Sequence, residues 1–377
     1  MNDGIRIGLP VLGAAALGTI ALVLGTSALG EAATEQAVIA GAVAEAHAEE
    51  ALGDLRGATT LATGQAREGE ALAAAVVDGL GDAALAEALR ADAASATELV
   101  EAAALELPPA VEYDEVPLAP IWTSLGEAFA TRERSVELDA VRREAESGLA
   151  GLEAAEAQLA EGRAALYADA AADAQAVLDA SPVATYESRV PAMHAIAQDG
   201  DTWFVEQDDS AEGYQQLATA VAAVRASQTA EAARRAAPEY ASRGPIEEFA
   251  RSIAHGVHLD FAWDHVVNGL SSEEWYSGTA QYWYGDGGWA KLHLSYSIDW
   301  SYADDINAKA VVVHEVGHTQ VVRPECTPIF ESAVFGSDDE MWATAWAIAS
   351  GYDVPGSGIE AYGRPSDEQI AEAGRCV

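Results

Sequence analysis

The sequence predicts a mainly α-helical protein that ends in a small α+β domain. Three features predict this fold class: an uncharged apolar run near the N-terminus, a long region rich in Ala and Glu, and a C-terminal block rich in Trp and His. We therefore expect a membrane anchor or signal segment over residues 1–30, a helical coiled coil or bundle over 31–241, and a compact domain over 242–377.

The apolar run extends from Ile7 to Gly30 without a charged residue. A helix of this length suffices to cross a bilayer. Arg6 precedes the run and Glu31 follows it, so the positive-inside rule predicts a single-pass anchor with the C-terminal part outside the cytoplasm. A cleaved signal peptide, with small residues near Ser27 and Ala28, is the alternative and predicts a secreted protein. Under both interpretations the protein is exported from the cytoplasm.

The next region has the composition of long helices. Ala, Glu, Leu, Gly and Asp dominate residues 31 to about 106, and helix propensity summed over that length is informative. The proline-rich stretch "LPPAVEYDEVPLAP" then indicates a connection, and a second helical run is expected from about 131 to 180. Within this run a seam repeats every seven residues, as in a coiled coil: Leu138, Ala145, Leu152, Leu159 and Leu166. The neighbouring seam positions are small, so a partner helix can approach closely, and the seam also allows self-association.

The net charge restricts the partners. The chain has 61 Asp plus Glu against 20 Lys plus Arg. A surface this acidic repels the phosphates of nucleic acids, so DNA and RNA binding is excluded.

The C-terminal block differs in composition from the helical region. Seven of the nine tryptophans lie beyond residue 260, and six of the eight histidines lie from residue 255 onward. Two β-rich runs flank Asp286-Gly287-Gly288 and predict a hairpin. A helix should follow, with Ser301 and Asp304 as its start signal and Pro324 as its stop.

The segment "VVVHEVGHTQ" carries the clearest chemical signal. Side chains four apart lie on one face of a helix, so His314 and His318 can point a ring nitrogen at one ion. Glu315 is rotated by about 100 degrees on an ideal helix, so it can lie beside the ion and accept a proton from a bound water. The alternative is two satisfied histidines in an apolar helix. Gly317 inside the helix indicates that another segment packs closely there.

The motif His314-Glu315-Val316-Gly317-His318 resembles the signature of the zincin metallopeptidases. The resemblance covers residues 245–377 and implies that His314 and His318 ligate Zn²⁺ while Glu315 is the general base. It also implies a β-strand before the motif helix whose edge pairs with an extended peptide substrate. The hairpin around residues 279–297 could supply that strand.

A catalytic zinc site needs a third protein ligand. Glu340, with Ser337 as the expected cap of its helix, resembles the third ligand of the glutamate zincins. Many of those proteins carry an Asp four residues later, where this chain has Thr344. Three aspartates could replace it: Asp338, Asp339 and Asp299. The alternative ligands are Glu331, His293 and Asp339, and Glu340 would then be only a helix cap.

Two further features bear on the site. His293 and Tyr362 are candidate donors to the oxyanion of the transition state, and each has a structural alternative. Cys326 and Cys376 predict a disulfide in an exported protein.

The sequence thus predicts an exported, membrane-anchored zinc metallopeptidase that acts on protein or peptide substrates. Two alternatives remain: a non-enzymatic envelope protein with a structural or vestigial zinc site, and a zinc hydrolase of non-peptide amides or esters.

Overall fold

A computed structural model describes residues 11–110, 121–197, 210–273 and 275–377, with only the backbone for residues 11–31 and 121. The chain forms two compact units, one of Met1–Asp169 with Gly200–Tyr214 and one of Ala170–Asp199 with Gln215–Val377. The protein is mainly helical with a small sheet near its C-terminus, as the composition predicts. No helix within the described part of the chain is long and apolar enough to cross a membrane. The predicted anchor starts among residues outside the described part, and its side chains also lie outside it, so it stays a prediction.

Three helices build the first unit: α1 (Val11–Ala75), α2 (Ala83–Ala102) and the first five-sixths of α3 (Ile121–Asp179). The region from 31 to about 106, whose composition predicts long helices, is divided by a break between α1 and α2. Gly79 and Gly81 have φ of 75° and 87° there, a conformation that glycine adopts without strain. Asp82 then caps α2 by accepting a hydrogen bond from the backbone N–H of Ala84.

The predicted seven-residue seam is buried. Its five members, Leu138, Ala145, Leu152, Leu159 and Leu166, are all fully inaccessible to solvent. Small residues beside the seam admit close packing: a Cβ on Gly148 would lie 3.2 Å from Leu55, and one on Gly162 would lie 3.2 Å from Leu89. The seam of α3 therefore packs on both α1 and α2.

The second unit holds the sheet. Its helices before the sheet are α4 (Tyr186–Ala197), α5 (Ser210–Ala236, from Gln215 onward) and α6 (Tyr240–Ser252). The strands are β1 (His258–Asp264), β2 (Val266–Val267), β3 (Leu270–Ser271), β4 (Gly278–Trp283) and β5 (Trp289–Ser295). The remaining helices are α7 (Tyr296–Ser301), α8 (Ile306–Thr319), α9 (Thr327–Phe330), α10 (Asp339–Ala349), α11 (Ile359–Tyr362) and α12 (Asp367–Ala373).

The three-stranded sheet has the order β1-β5-β4. β4 and β5 form the predicted antiparallel hairpin, and β1 pairs with β5 in parallel. The turn contains Asp286, Gly287 and Gly288, all with positive φ. β4 is therefore an edge strand of this sheet.

Helix α8 packs against the sheet on one side and against α10 on another. The apolar residues of both helices share one core with β1 and β5, including Leu292, Val313 and Trp342. The carbonyl of Gly317 accepts a hydrogen bond from the Trp342 indole at 3.0 Å. A Cβ on Gly317 would lie 3.0 Å from the Ala343 carbonyl oxygen, so this glycine allows the close helix contact that the sequence indicates.

The residues that cap α8 and α10 differ from the predicted ones. Asp305, not Ser301, caps α8 by accepting from the Asn307 N–H, so the expected S-x-x-D signal is wrong as a cap. Asp338, not Ser337, caps α10 by accepting from the Met341 N–H, while Ser337 has φ of 62°. In both cases an aspartate nearer to the first helical turn accepts the free backbone N–H.

The boundary between the units differs from the predicted one near residue 242. Residues 170–199 and 215–241 belong to the unit that contains the sheet. Asp260 on β1 accepts hydrogen bonds from the Tyr186 and Glu187 N–H groups, at 2.7 and 2.9 Å. Arg234 on α5 forms an ion pair with the buried Glu247 on α6 at 2.5 Å. The first contact ties the start of α4 to the sheet, and the second ties α5 to α6. The first joins residues 73 and 74 positions apart, so no local pattern encodes it.

Cys326 and Cys376 lie at disulfide distance, with Cα atoms 5.8 Å apart. This agrees with the predicted pair, and it links the segment after α8 to the C-terminal end of the second unit.

Candidate metal centre

Three predicted ligands converge at the junction of α8 and α10. The Nε2 atoms of His314 and His318 lie 3.1 Å apart. Oε2 of Glu340 lies 3.1 Å from His314 Nε2 and 3.3 Å from His318 Nε2. These three side chains could hold a metal ion. The helical spacing places the two histidines on one face of α8, and Glu340 faces them from the first turn of α10.

The ring of His314 is oriented by a backbone carbonyl. Its Nδ1 lies 3.0 Å from the Ser357 oxygen. A carbonyl only accepts, so Nδ1 carries the proton and the lone pair of the neutral ring is on Nε2. The loop reaches the ring because Gly358 has φ of +99° and no side chain: a Cβ there would lie 2.8 Å from the His314 ring. Sequence reasoning did not identify Ser357 and Gly358, although "PGSG" is a recognisable tight-turn signal.

The ring of His318 faces a carboxylate. Its Nδ1 lies 3.0 Å from Asp339 Oδ1. The two atoms are within ion-pair distance, but their geometry is not that of a hydrogen bond. Burial lowers the pKa of His318, but Asp339 and Glu340 outweigh burial and raise it to about 10. Among the three aspartates considered as replacements at Thr344, Asp339 is the one beside a ligand. Asp338 caps α10, and Asp299 pairs with Arg243 at 3.0 Å.

The arrangement of donor atoms suits a cation. When both Nε2 atoms are unprotonated, two imidazole lone pairs and one carboxylate oxygen share the same space and can bind a cation. Without a cation, a proton on His318 pairs with Glu340 instead, so metal binding would release that proton. Ligand atoms at about 2.0–2.1 Å from a tetrahedral zinc ion are separated by about 3.3 Å. The three observed separations match that spacing closely. Burial raises the pKa of Glu340, but the two histidines outweigh it and hold that pKa well below its usual range.

Glu315 is a buried carboxylate beside this cluster. It is 5% exposed, and its Oε2 has no hydrogen-bond partner within the described residues. Burial raises its pKa. Strand β4 passes directly over it, because a Cβ on Gly278 would lie 2.5 Å from Glu315 Cγ. A carboxylate in this position can accept and return a proton.

A cavity of about 910 Å³ opens beside His314 and Glu315. Its walls include the aromatic side chains of Trp275, Tyr276 and Trp300. Tyr362 also lines it, and its ring stacks on His314 with centroids 5.8 Å apart. Burial and the charge of the nearby Glu340 raise the Tyr362 pKa to about 12.

Of the three alternative ligands, Asp339 lies beside His318, and the other two lie outside the cluster. Glu331 is solvent-exposed, and His293 lies 3.6 Å from Asp264 on β1. Neither belongs to the metal-binding group, and neither lines the cavity.

Comparison with known proteins gives no match: no family model, no curated protein and no solved structure matches the chain.

Proposed function

We propose that the chain is an exported zinc metallopeptidase, anchored through residues 7–30. The observation that carries this proposal is the triangle of His314, His318 and Glu340 ligand atoms with Glu315 beside it, open to a cavity on the His314 side. A structural zinc site is usually closed by four protein ligands, whereas a catalytic one keeps a position for water.

Zinc suits the donor set because two imidazoles and one carboxylate are typical ligands of catalytic zinc. When bound, it would acidify a water molecule and polarise the substrate carbonyl. Glu315 is then the residue that transfers the proton. Its carboxylate accepts the proton of the attacking water and delivers it to the departing amine. The Tyr362 hydroxyl, on the cavity wall, is the better of the two candidate oxyanion donors.

The sheet supports a peptide as substrate. β4 is an edge strand, and such an edge accepts an extended peptide through backbone hydrogen bonds. Gly278 at the start of β4 contacts Glu315. A peptide paired along this edge would therefore present a backbone carbonyl close to the base. A non-peptide amide or ester lacks the backbone groups that use such an edge.

The test is metal content together with peptide cleavage for the full chain and its Glu315→Gln variant. We expect about one zinc per chain in both proteins and cleavage only by the wild type. Glu331→Gln, which changes an exposed carboxylate outside the cluster, should retain both properties and serves as the matched control.

Two other results would reject the proposal. If both proteins bind zinc and neither cleaves peptides, the alternative is favoured. The chain would then be a non-enzymatic envelope protein whose function resides in its helical region. Absence of bound zinc in both would leave the motif as a packed helix.

A further inference from the structure

A second cavity in the sheet-containing unit concentrates basic side chains. It measures about 500 Å³ and lies between α4, the C-terminal part of α5, the α6 end and β1. Its lining includes four basic and two acidic residues: Arg189, Arg235, Arg251, His258, Glu231 and Asp260. Three guanidinium groups in one cavity are notable in a chain with only 20 basic residues against 61 acidic ones.

Both acidic residues are already engaged. The two carboxylate oxygens of Asp260 accept the backbone N–H groups of Tyr186 and Glu187. Both oxygens of Glu231 accept from Arg234, at 2.8 to 3.0 Å. Neither carboxylate is therefore a dedicated partner of the three cavity arginines.

The guanidinium groups retain unused donors. Among the described residues, neither Arg189 nor Arg235 has a carboxylate within ion-pair distance. Arg189 donates to the Ser181 carbonyl at 2.8 Å, and the buried Nε of Arg235 has no hydrogen-bond partner in the part of the chain that is described. Arg251 reaches Glu247 only at 3.4 Å, and Arg234 already contacts both oxygens of that carboxylate.

One wall of the cavity is aromatic. The rings of Tyr186 and His258 stack with centroids 4.1 Å apart and planes 9° from parallel. Burial and the charge of Arg189 lower the pKa of His258, so the positive charge of the cavity resides on the guanidinium groups. A volume of this size falls within the range of about 300–1,000 Å³ of small-molecule sites.

We infer that this cavity binds a small organic oxyanion, a phosphate or carboxylate group carried on a planar or apolar body. Planar guanidinium groups bind both oxyanions through paired hydrogen bonds. The aromatic wall contacts the rest of the ligand. None of the residues involved belongs to the metal centre, so the inference does not depend on the proposed peptidase activity.

The test is isothermal titration calorimetry of the full chain with phenyl phosphate, benzoate and neutral benzamide at constant ionic strength. We expect one saturable site for at least one of the two anions and none for benzamide. Binding of only phenyl phosphate identifies a phosphate site, and binding of only benzoate identifies a carboxylate site. Arg235→Gln should weaken binding at least tenfold, and Arg189→Gln provides a second, independent variant.

Arg67→Gln is the matched control, because Arg67 is an exposed arginine on α1. It should bind as the wild type does, and far-ultraviolet circular dichroism with the urea unfolding midpoint checks the fold of each variant. The inference is overturned if neither anion binds, or if folded Arg235→Gln and Arg189→Gln bind as tightly as the wild type.

Discussion

At the scale of single residues, the candidate site contains groups that orient the two histidine rings. The Ser357 carbonyl fixes the His314 ring, and Asp339 faces Nδ1 of His318. Partners of this kind raise the basicity of a histidine ligand and restrict its orientation. Asp339 faces His318 as the resemblance would have the residue at position 344 do, but it precedes Glu340 instead of following it by four residues.

We expect Asp339→Ala to lower zinc affinity by about 10- to 100-fold, the usual effect of removing such a partner. Competition with a chromophoric chelator at fixed pH measures the affinity. Glu331→Ala removes an exposed carboxylate from the same part of the chain and should leave the affinity unchanged. Equal affinities for the two variants would contradict the role assigned to Asp339.

Sequence reasoning finds site residues that lie close together in the sequence and misses those whose contacts are distant in sequence. His314 and His318 share a face because of helix geometry alone. Glu340 is expected from the resemblance to the glutamate zincins, and its helix from a capping pattern whose assumed cap is one residue early; the residue still lies in the first turn of α10. Ser357 lies 43 residues from its partner His314, and no local pattern encodes that contact.

At the scale of elements, the packing of α8 on α10 determines whether the ligands can meet. Periodicity predicted the helices, the β4–β5 hairpin and the buried seam of α3. It did not predict the parallel pairing of β1 with β5, because strands joined in parallel come from distant parts of the sequence. It also missed the break before α2, where Gly79 and Gly81 end a composition that otherwise favours helix.

Gly317→Ala tests the helix contact. A helix-interior Gly→Ala change ordinarily stabilises by up to about 1 kcal/mol. At Gly317 the added methyl would press on the backbone of α10, at 3.0 Å from the Ala343 oxygen and 3.1 Å from its Cα. We expect destabilisation by about 1–3 kcal/mol, the typical cost of overpacking, measured by urea unfolding.

Gly64→Ala on α1 is the matched control, because nothing lies within 4 Å of its added Cβ. This variant should be as stable as the wild type or more so. A Gly317→Ala protein with the stability of Gly64→Ala would show that α8 and α10 are less tightly packed than described.

At the scale of the whole molecule, the two units have different sources of stability. The helical unit relies on a periodic seam and contains no cysteine. The sheet-containing unit has a mixed apolar core and a covalent link between Cys326 and Cys376, 50 residues apart. The periodic unit was therefore the easier one to predict, since its packing repeats along the sequence.

Reduction of the Cys326–Cys376 pair should destabilise the unit that contains it. Closing a loop of this length is worth about 4 kcal/mol in the chain-entropy description. The expected result is a lower urea midpoint for the wild type in the presence of a reductant. The Cys326→Ala/Cys376→Ala double variant should have that lower midpoint with or without the reductant. A reductant effect on the double variant, or none on the wild type, would contradict the prediction.

The contacts of Cys376 also bear on how the polypeptide is handled in the laboratory. Its carbonyl accepts hydrogen bonds from Arg323 at 2.8 Å and from the Trp346 indole at 3.1 Å, in addition to the link through its sulfur. The following residue, Val377, is 49% exposed. Proteolytic cleavage that removes Cys376 should therefore release both the segment after α8 and helix α10 from a shared point of attachment.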